Sequence, residues 1–189
     1  MTRKEQKEER RKQILMTALD LFVSKGYYDT KITDIAAAVP MSTGLLFHYF
    51  ESKEELLVEL VKMGAAGTGS FDPESAGKIP ADIFLTGFLK QMFSYAKEQP
   101  WVFNMFVLMG QARRNGMPED ARNIALSVGS IDMTAALIAK GQKEKIFREG
   151  DARVMSVFFW AAVQGIMEEM AMNKDMPSPD PEWIVSMLK

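Results

Sequence analysis

Apolar residues recur at helical spacing along the first 63 residues and predict four helices there. Gly26 and Pro40 supply stop signals, and Thr33 and Ser42 are placed to cap the two short central helices. Two short helices joined by a tight turn are therefore expected between a long first helix and a fourth one. The predicted helices cover residues 4–25, 34–39, 43–50 and 53–63.

Residues 64–80 are rich in glycine and proline and predict a flexible connection rather than a helix. Every segment beyond residue 80 has a helical pattern, and no alternating pattern typical of a strand occurs. The prediction is an all-α chain with an N-terminal domain over 1–53 and a larger helical domain over 81–189. The helices predicted in the second domain cover residues 81–98, 101–115, 119–143, 151–173 and 181–188.

Composition excludes several classes of protein. The 189 residues are 47% hydrophobic and 25% charged with a net charge of −2, which is the composition of a folded protein rather than a disordered chain. The absence of cysteine excludes thiolate metal sites and disulfides. The charged N-terminus does not resemble a signal peptide, and no run approaches the ~20 apolar residues of a membrane helix. We expect a cytoplasmic protein that does not act on membranes.

Enzymatic chemistry has little support in the sequence. His48 is the only histidine, and no carboxylate or nucleophile is spaced to work with it. The glycines that begin at Gly64 follow no strand and lack the order of a dinucleotide-binding loop. Glu168 and Glu169 are adjacent on a helix and point apart. We expect no enzyme activity, no cofactor and no metal.

The helix, turn, helix layout with a preceding brace helix is the arrangement that places a recognition helix in the major groove of DNA. The distribution of charge along the chain also favours DNA binding by the N-terminal residues. Residues 1–53 hold nine Lys and Arg against seven Asp and Glu, a net charge of +2, so residues 54–189 hold 14 against 18, a net charge of −4. Positive charge therefore lies toward the candidate DNA-binding domain.

The segment from Ile14 to Val61 carries a specific motif. Within it, a set of residues stands in one characteristic order and spacing: Gly26-Tyr27, Thr33, Ile35-Ala36, Ser42, Gly44, Phe47, Tyr49-Phe50 and Ser52-Lys53-Glu54. The segment resembles the N-terminal signature of the TetR family of bacterial transcriptional regulators. The resemblance covers about a quarter of the chain. It implies a variable helical C-terminal domain that dimerises and binds a small effector.

Candidate DNA contacts follow from the residues and from this resemblance. Ser42 and Thr43 begin the second short helix, where hydroxyl and N–H groups can contact phosphates and base edges, and Gly44 permits close approach. The resemblance implies backbone packing and phosphate contact through Phe47, His48 and Tyr49. It also implies a phosphate clamp at Lys53 and contacts to the flanking strand from Lys31 and Thr33.

Two positions depart from the family pattern. Pro40 stands where glycine is common, and Leu45 stands where a small hydroxyl residue is common. Leu45 either packs against a thymine methyl or turns inward and leaves base reading to Thr43 and Met41. Phe50 is expected in the core, whereas Phe47 is equally compatible with core and surface. The N-terminal basic residues could reach along the DNA backbone or into the minor groove, but they are interleaved with Glu5, Glu8 and Glu9, so a solvated helix face is the favoured alternative. These basic residues are Arg3, Lys4, Lys7, Arg10, Arg11 and Lys12.

The C-terminal domain is rich in methionine and phenylalanine, which suits a pocket for apolar or aromatic ligands. Gln164 lies in an otherwise apolar segment, and its amide needs a partner, which is either a ligand or another helix. Core packing is the alternative role for each apolar side chain of the set. The candidate effector residues are Phe88, Met92, Phe103, Phe106, Met109, Phe159, Gln164 and Met167.

The functional expectation is a ligand-responsive repressor that binds an inverted-repeat operator as a homodimer. The helices at 151–173 and 181–188 resemble the pair through which the family dimerises, and Ala161 and Gly165 permit close helix approach. Effector binding is expected to favour a conformer that moves the DNA-binding domains out of register. There are two alternatives. The protein is an activator, or it is a helical ligand-binding protein with weakened DNA recognition.

Overall fold

The computed structural model describes residues 2–67, 76, 78–173 and 175–189, and among these no strand occurs. The all-α prediction is confirmed. Much of the predicted connection 64–80 lies outside the described residues. The helices are α1 (Arg3–Lys25), α2 (Ile32–Ala38), α3 (Thr43–Phe47), α4 (Lys53–Gly67), α5 (Ala81–Glu98), α6 (Trp101–Ala112), α7 (Glu119–Leu126), α8 (Ser130–Lys143), α9 (Ala152–Met172) and α10 (Pro181–Ser186).

Local signals explain most helix boundaries. The Thr2 hydroxyl accepts a hydrogen bond from the Glu5 N–H, and the Glu5 carboxylate accepts one from the Thr2 N–H, so a capping box starts α1. Ser42 caps α3 as predicted, and Asp151 caps α9 through two backbone N–H groups. Thr2, Ser42 and Asp151, whose side-chain oxygens accept hydrogen bonds from backbone N–H groups, thus mark where these three helices start.

Several predicted boundaries were wrong. Helix α4 continues from the predicted end near Met63 to Gly67, because burial of Gly64 within the fold outweighs the low helix propensity of glycine, about 1 kcal/mol. The helix predicted over 119–143 is divided into α7 and α8 at residues 127–129. Helix α3 ends at Phe47 rather than near residue 50.

The chain forms two compact units. The first comprises residues 1–65 and 107–126, and the second comprises 66–106 and 127–189. Residues 107–126 therefore group with the N-terminal residues, whereas the sequence placed them in the C-terminal domain. Helical periodicity identifies the buried face of a helix but not the element that covers it.

The first unit has a small apolar core in which α1 and α4 bury their apolar faces. Ile14, Phe22, Leu46 and Leu60 are all fully buried. The second unit has a larger core cluster from α5, α6, α8, α9 and α10, which includes Leu85, Ile138, Phe159, Met167 and Val185.

One stretch, Glu119–Lys143, is long and apolar enough to cross a membrane by length and composition, with a mean hydropathy of 1.3. The prediction that no segment is long and apolar enough for a membrane helix was therefore wrong by the test of length and composition. The stretch consists of α7 and α8, which are separated at residues 127–129. A core helix of a folded protein can pass the same test of length and composition.

Candidate nucleic-acid interface

Helix α3 is held by its inner face and presents its outer face to solvent. Leu46 is fully buried, and Phe50, just after the helix, is 1% exposed, as predicted for a core residue. Ser42 accepts the Leu45 N–H at 3.1 Å. A Cβ added at Gly44 would have no neighbour within 4 Å, so this side of the helix is open.

The structure settles two orientations that the sequence left open. Leu45 is 45% exposed and Phe47 is 48% exposed, so both point outward. Leu45 therefore does not turn into the core, and the thymine-methyl alternative is the one that its position permits. Ser42 and His48 are exposed, and Thr43, Met41 and Tyr49 are half-buried.

The turn between α2 and α3 contains strained backbone at Pro40. The Met41 N–H donates to the Ala36 carbonyl at 3.0 Å, which is the long bond of a Schellman motif, and Pro40 occupies the left-handed position of that motif with φ of 25°. The proline ring favours φ near −65° and has no N–H for the second bond of the motif. Glycine would suit this position better.

Lys53 lies in a cage of carbonyl groups rather than on an open surface. Its ammonium donates to the carbonyl oxygens of Tyr27 at 2.7 Å, Thr30 at 2.9 Å and Tyr28 at 3.5 Å. It also lies 4.3 Å from the centre of the Tyr27 ring. All three N–H groups thus have partners, so the phosphate contact of Lys53 stays a prediction that requires release of at least one of them.

Burial perturbs two titratable groups in this cage. Burial lowers the pKa of Lys53, and Asp29 opposes that change. Burial, followed by the nearby charge of Glu54, raises the pKa of Tyr27 to about 12. The Tyr28 hydroxyl donates to the Gly116 carbonyl, within the same unit. These contacts fix the loop between α1 and α2, and with it the start of α2.

Lys31 and Thr33 are exposed at the start of α2, where contacts to a flanking DNA strand were predicted. Lys31, not Thr33, is the N-cap residue, which corrects the predicted start of α2. Asp34 accepts hydrogen bonds from the Lys25 ammonium at 3.0 Å and the Lys31 N–H, and these lower the pKa of its carboxyl.

Arg11 ties α1 to the end of α3. Its guanidinium donates to the Tyr49 carbonyl and to the Glu59 carboxylate, both at 3.0 Å, and lies 4.2 Å from the centre of the Phe50 ring. Hydrogen bonds from Lys62, and to a smaller extent from Arg11, lower the pKa of Glu59. The sequence did not single out Arg11, because it lies in a run of charged residues.

An open groove of about 750 Å³ lies between the N-terminal half of α1 and the end of α3, and we call it the α1–α3 groove. Three predicted DNA-contact residues, Leu45, His48 and Tyr49, line one side. The other side is formed by α1. The lining residues from α1 are Arg3, Gln6, Lys7, Glu9, Arg10 and Gln13.

The candidate effector residues are divided by the fold. Phe103, Phe159 and Met167 are buried in the core cluster of the second unit, and Phe88, Met92 and Phe106 are half-buried against it. Met109 is half-buried and belongs to the first unit. The Gln164 amide donates to the Phe106 carbonyl at 2.9 Å and to the Glu168 carboxylate at 2.7 Å. An interhelical partner therefore satisfies Gln164, which was one of its two predicted roles.

Residues 14–60 match the family model described as bacterial regulatory proteins, tetR family. Over these residues the chain is similar to the TetR family. The match includes α2, α3 and the strained turn between them. The match makes this segment similar to bacterial regulatory proteins, the class that the sequence predicted.

Among curated relatives, the chain is 46% identical over 55 residues to the HTH-type transcriptional regulator HbdR of Aromatoleum sp. (strain CIB), covering 29% of this chain and 24% of that protein. The chain spans between 19% and 37% of the lengths of five such relatives. The sequence similarity to these relatives therefore covers less than half of each protein.

Solved structures extend the likeness to the whole fold. The MbdR regulator from Azoarcus sp. CIB has a TM-score of 0.81 at 23% identity, covering 95% of this chain and 96% of that one. AibR, solved with isovaleryl coenzyme A and operator DNA, has a TM-score of 0.74 at 19% identity, covering 95% and 97%. A TetR-type fold, with a helix-turn-helix domain followed by a larger helical domain, is thereby confirmed.

Proposed function

We propose that the chain is a transcriptional regulator that binds double-stranded operator DNA as a homodimer and represses until a small apolar effector releases it. The observation that carries the DNA-binding part is the outer face of α3. Gly44, Leu45 and Phe47 face solvent on a helix whose inner residue, Leu46, is fully buried. A short helix anchored in this way can enter the major groove without disturbing the core.

The homodimer is supported by apolar residues that α9 leaves uncovered within one chain. Val154, Phe158, Ala161, Gly165 and Met172 are exposed at spacings of three, four and seven residues, and we call this set the α9 stripe. A Cβ at Gly165 would have no neighbour within 4 Å, so a second helix can approach closely. On α10, Trp183 is 69% exposed. A two-fold axis would pair such a surface with itself.

Effector release is supported by the half-buried aromatic and methionine side chains of the second unit. Phe88, Met92 and Phe106 pack against the core without being enclosed by it. AibR, which shares the fold, was solved with both a ligand and operator DNA. For release, the effector must bind the DNA-free conformer more tightly than the DNA-bound one by a few kcal/mol.

Selection of duplexes from a random DNA pool tests the proposal. Purified protein is mixed with the pool at near-physiological salt, and the bound fraction is sequenced. Enrichment of an inverted repeat, with half-sites about one helical turn apart, is expected for a dimeric regulator. Recovery of duplexes without any enriched sequence would contradict sequence-specific regulation and favour a helical ligand-binding protein.

The enriched duplex then serves as the probe for effectors. Small apolar and aromatic compounds are screened for release of the labelled duplex, and a Gly44→Arg variant, whose long side chain blocks close approach by α3, is the control that should not bind the duplex. Release of wild-type protein by at least one apolar compound is expected. Compounds that strengthen binding instead would contradict release and indicate that a ligand promotes DNA binding.

A further inference from the structure

The α1–α3 groove joins basic residues of α1 to the outward face of α3. Arg3, Lys7 and Arg10 are spaced by four and three residues, so they share one face of the helix, and all three are exposed. They line the same groove as Leu45 and His48. Cations are thus brought beside the residues that are expected to face DNA.

The acidic residues of α1 do not cancel this charge. The Glu5 carboxylate is engaged in the capping box with Thr2, and Glu8 does not line the groove. Among the residues that line it, three cations stand against the single carboxylate of Glu9, which leaves a net charge of +2. The sequence pattern predicted a solvated face because it counted all the glutamates, whereas the helix separates them.

The groove is preformed on both sides. The capping box at Thr2 keeps α1 helical as far as Arg3, so its basic side chains project from a fixed helix. Arg11 then holds that helix to the end of α3 through the Tyr49 carbonyl and to α4 through Glu59. The backbone that carries these cations is therefore already ordered before they meet phosphates.

We propose that Arg3, Lys7 and Arg10 bind the phosphate backbone that flanks each half-site, so that the N-terminal half of α1 is part of the DNA-binding surface. This inference rests on the proposed function and adds a second binding surface to α3. Phosphate contacts fix register and affinity without reading bases. Their removal therefore weakens binding to every duplex by a similar factor and lowers the dependence on salt.

Two double variants with the same change of charge test the proposal. The groove variant is Lys7→Gln with Arg10→Gln. The control is Lys4→Gln with Lys12→Gln, on the same helix, at exposed positions that do not line the groove. Affinities for the enriched duplex and for a scrambled duplex of equal length are measured over a series of salt concentrations, and circular dichroism checks helix content.

The groove variant is expected to lower the slope of log affinity against log salt by about 0.9 for each phosphate that its side chains no longer neutralise. If each protomer neutralises two fewer phosphates, affinity at 0.15 M salt falls about 30-fold for each protomer bound, on both duplexes alike. The control should stay within about threefold of wild type.

Equal affinities for the groove variant and the control, with wild type still selecting an inverted repeat, would overturn the inference and leave the proposed function standing. A weakening confined to the enriched duplex would also overturn it, because it would indicate base reading. If wild type binds neither duplex, the proposed function fails and the inference fails with it.

Discussion

Both compact units have charged side chains that bond to distant backbone carbonyls, but they differ in the size of the apolar cluster and in the apolar residues left outside it. In the first unit, charged side chains bond to backbone carbonyls far away in the sequence, as Arg11 does to Tyr49 and Lys53 does to Tyr27 and Thr30. In the second unit, Lys140 and Arg148 bond in the same way to the carbonyls of Ile79 and Met187, and a larger apolar cluster leaves residues such as Phe158 outside it. The hydrogen bonds of the charged side chains fix the positions of the backbone segments that they join. Apolar residues left outside the core favour association with another apolar surface.

Phe158→Glu should have the largest effect, because it places a charge at the centre of the α9 stripe. Burying an unpaired carboxylate in an apolar interface costs several kcal/mol, so we expect dimer affinity to fall at least 100-fold. Analytical ultracentrifugation over a range of concentrations measures the change. Leu126→Glu, at an exposed position of the first unit, is the control and should keep the wild-type assembly state. A wild-type protein that is monomeric at every concentration would contradict the proposed dimer.

Gly141→Ala tests how tightly the core of the second unit is packed. An added Cβ would lie 2.4 Å from Cδ2 of the buried Phe147 ring, so the ring must move. Overpacking of this kind costs about 1–3 kcal/mol, and urea unfolding should show that decrease. Gly87→Ala makes the same exchange on an exposed turn of α5 with nothing within 4 Å, and should be neutral or slightly stabilising. Equal stabilities for the two variants would argue against a rigid core here.

Lys53→Met tests the polar interactions of the first unit. The variant keeps the aliphatic length but leaves the carbonyls of Tyr27 and Thr30 without their charged donor, which should lower the free energy of unfolding by about 2 kcal/mol. Lys62→Met, on the same helix, removes only an exposed ion pair with Glu59 and should cost less than about 1 kcal/mol. Similar decreases for both would show that the carbonyl cage adds little.

Pro40→Gly should stabilise the first unit. Glycine accepts the positive φ at this position and restores an N–H for the second bond of the Schellman motif. Release of backbone strain contributes about 1–3 kcal/mol, partly offset by the greater freedom of glycine in the unfolded chain. Thermal unfolding measures the net gain. A decrease in stability would mean that the proline ring packs favourably enough to outweigh the strain.

Glu59→Gln should have the smallest effect, visible mainly in its pH dependence. Because the folded-state pKa of Glu59 is lowered, the stability it contributes is present above its unfolded pKa and is lost as pH falls through the folded value. We expect a decrease of about 1 kcal/mol or less at pH 7, which becomes smaller as the pH falls below the unfolded pKa of Glu59, measured by urea unfolding. A difference that grows on acidification would contradict this assignment.

The sequence predicted those features that depend on neighbouring residues. Ser42 and Asp151 cap their helices because a short polar side chain reaches backbone N–H groups two or three residues ahead. The helical pattern also identified Phe50 as a core residue. These interactions join residues within one helical turn of each other, so they can be recognised from the sequence alone.

Other features depend on partners that are distant in the sequence, and the pattern could not show them. Lys53 was assigned to phosphate because its carbonyl partners lie 23 to 26 residues away. Residues 107–126 were placed in the wrong unit for a similar reason. The basic residues of α1 were weighed by composition, although their position on one face of the helix, beside α3, is what gives them a role.

His48 is the only histidine in the chain, and it lies on the α1–α3 groove next to Leu45 and Tyr49. Its imidazole C–H protons therefore give isolated signals in a proton NMR spectrum that need no resonance assignment. One side chain thus provides a spectroscopic reporter of whatever enters the groove, in the unmodified protein and without an attached label.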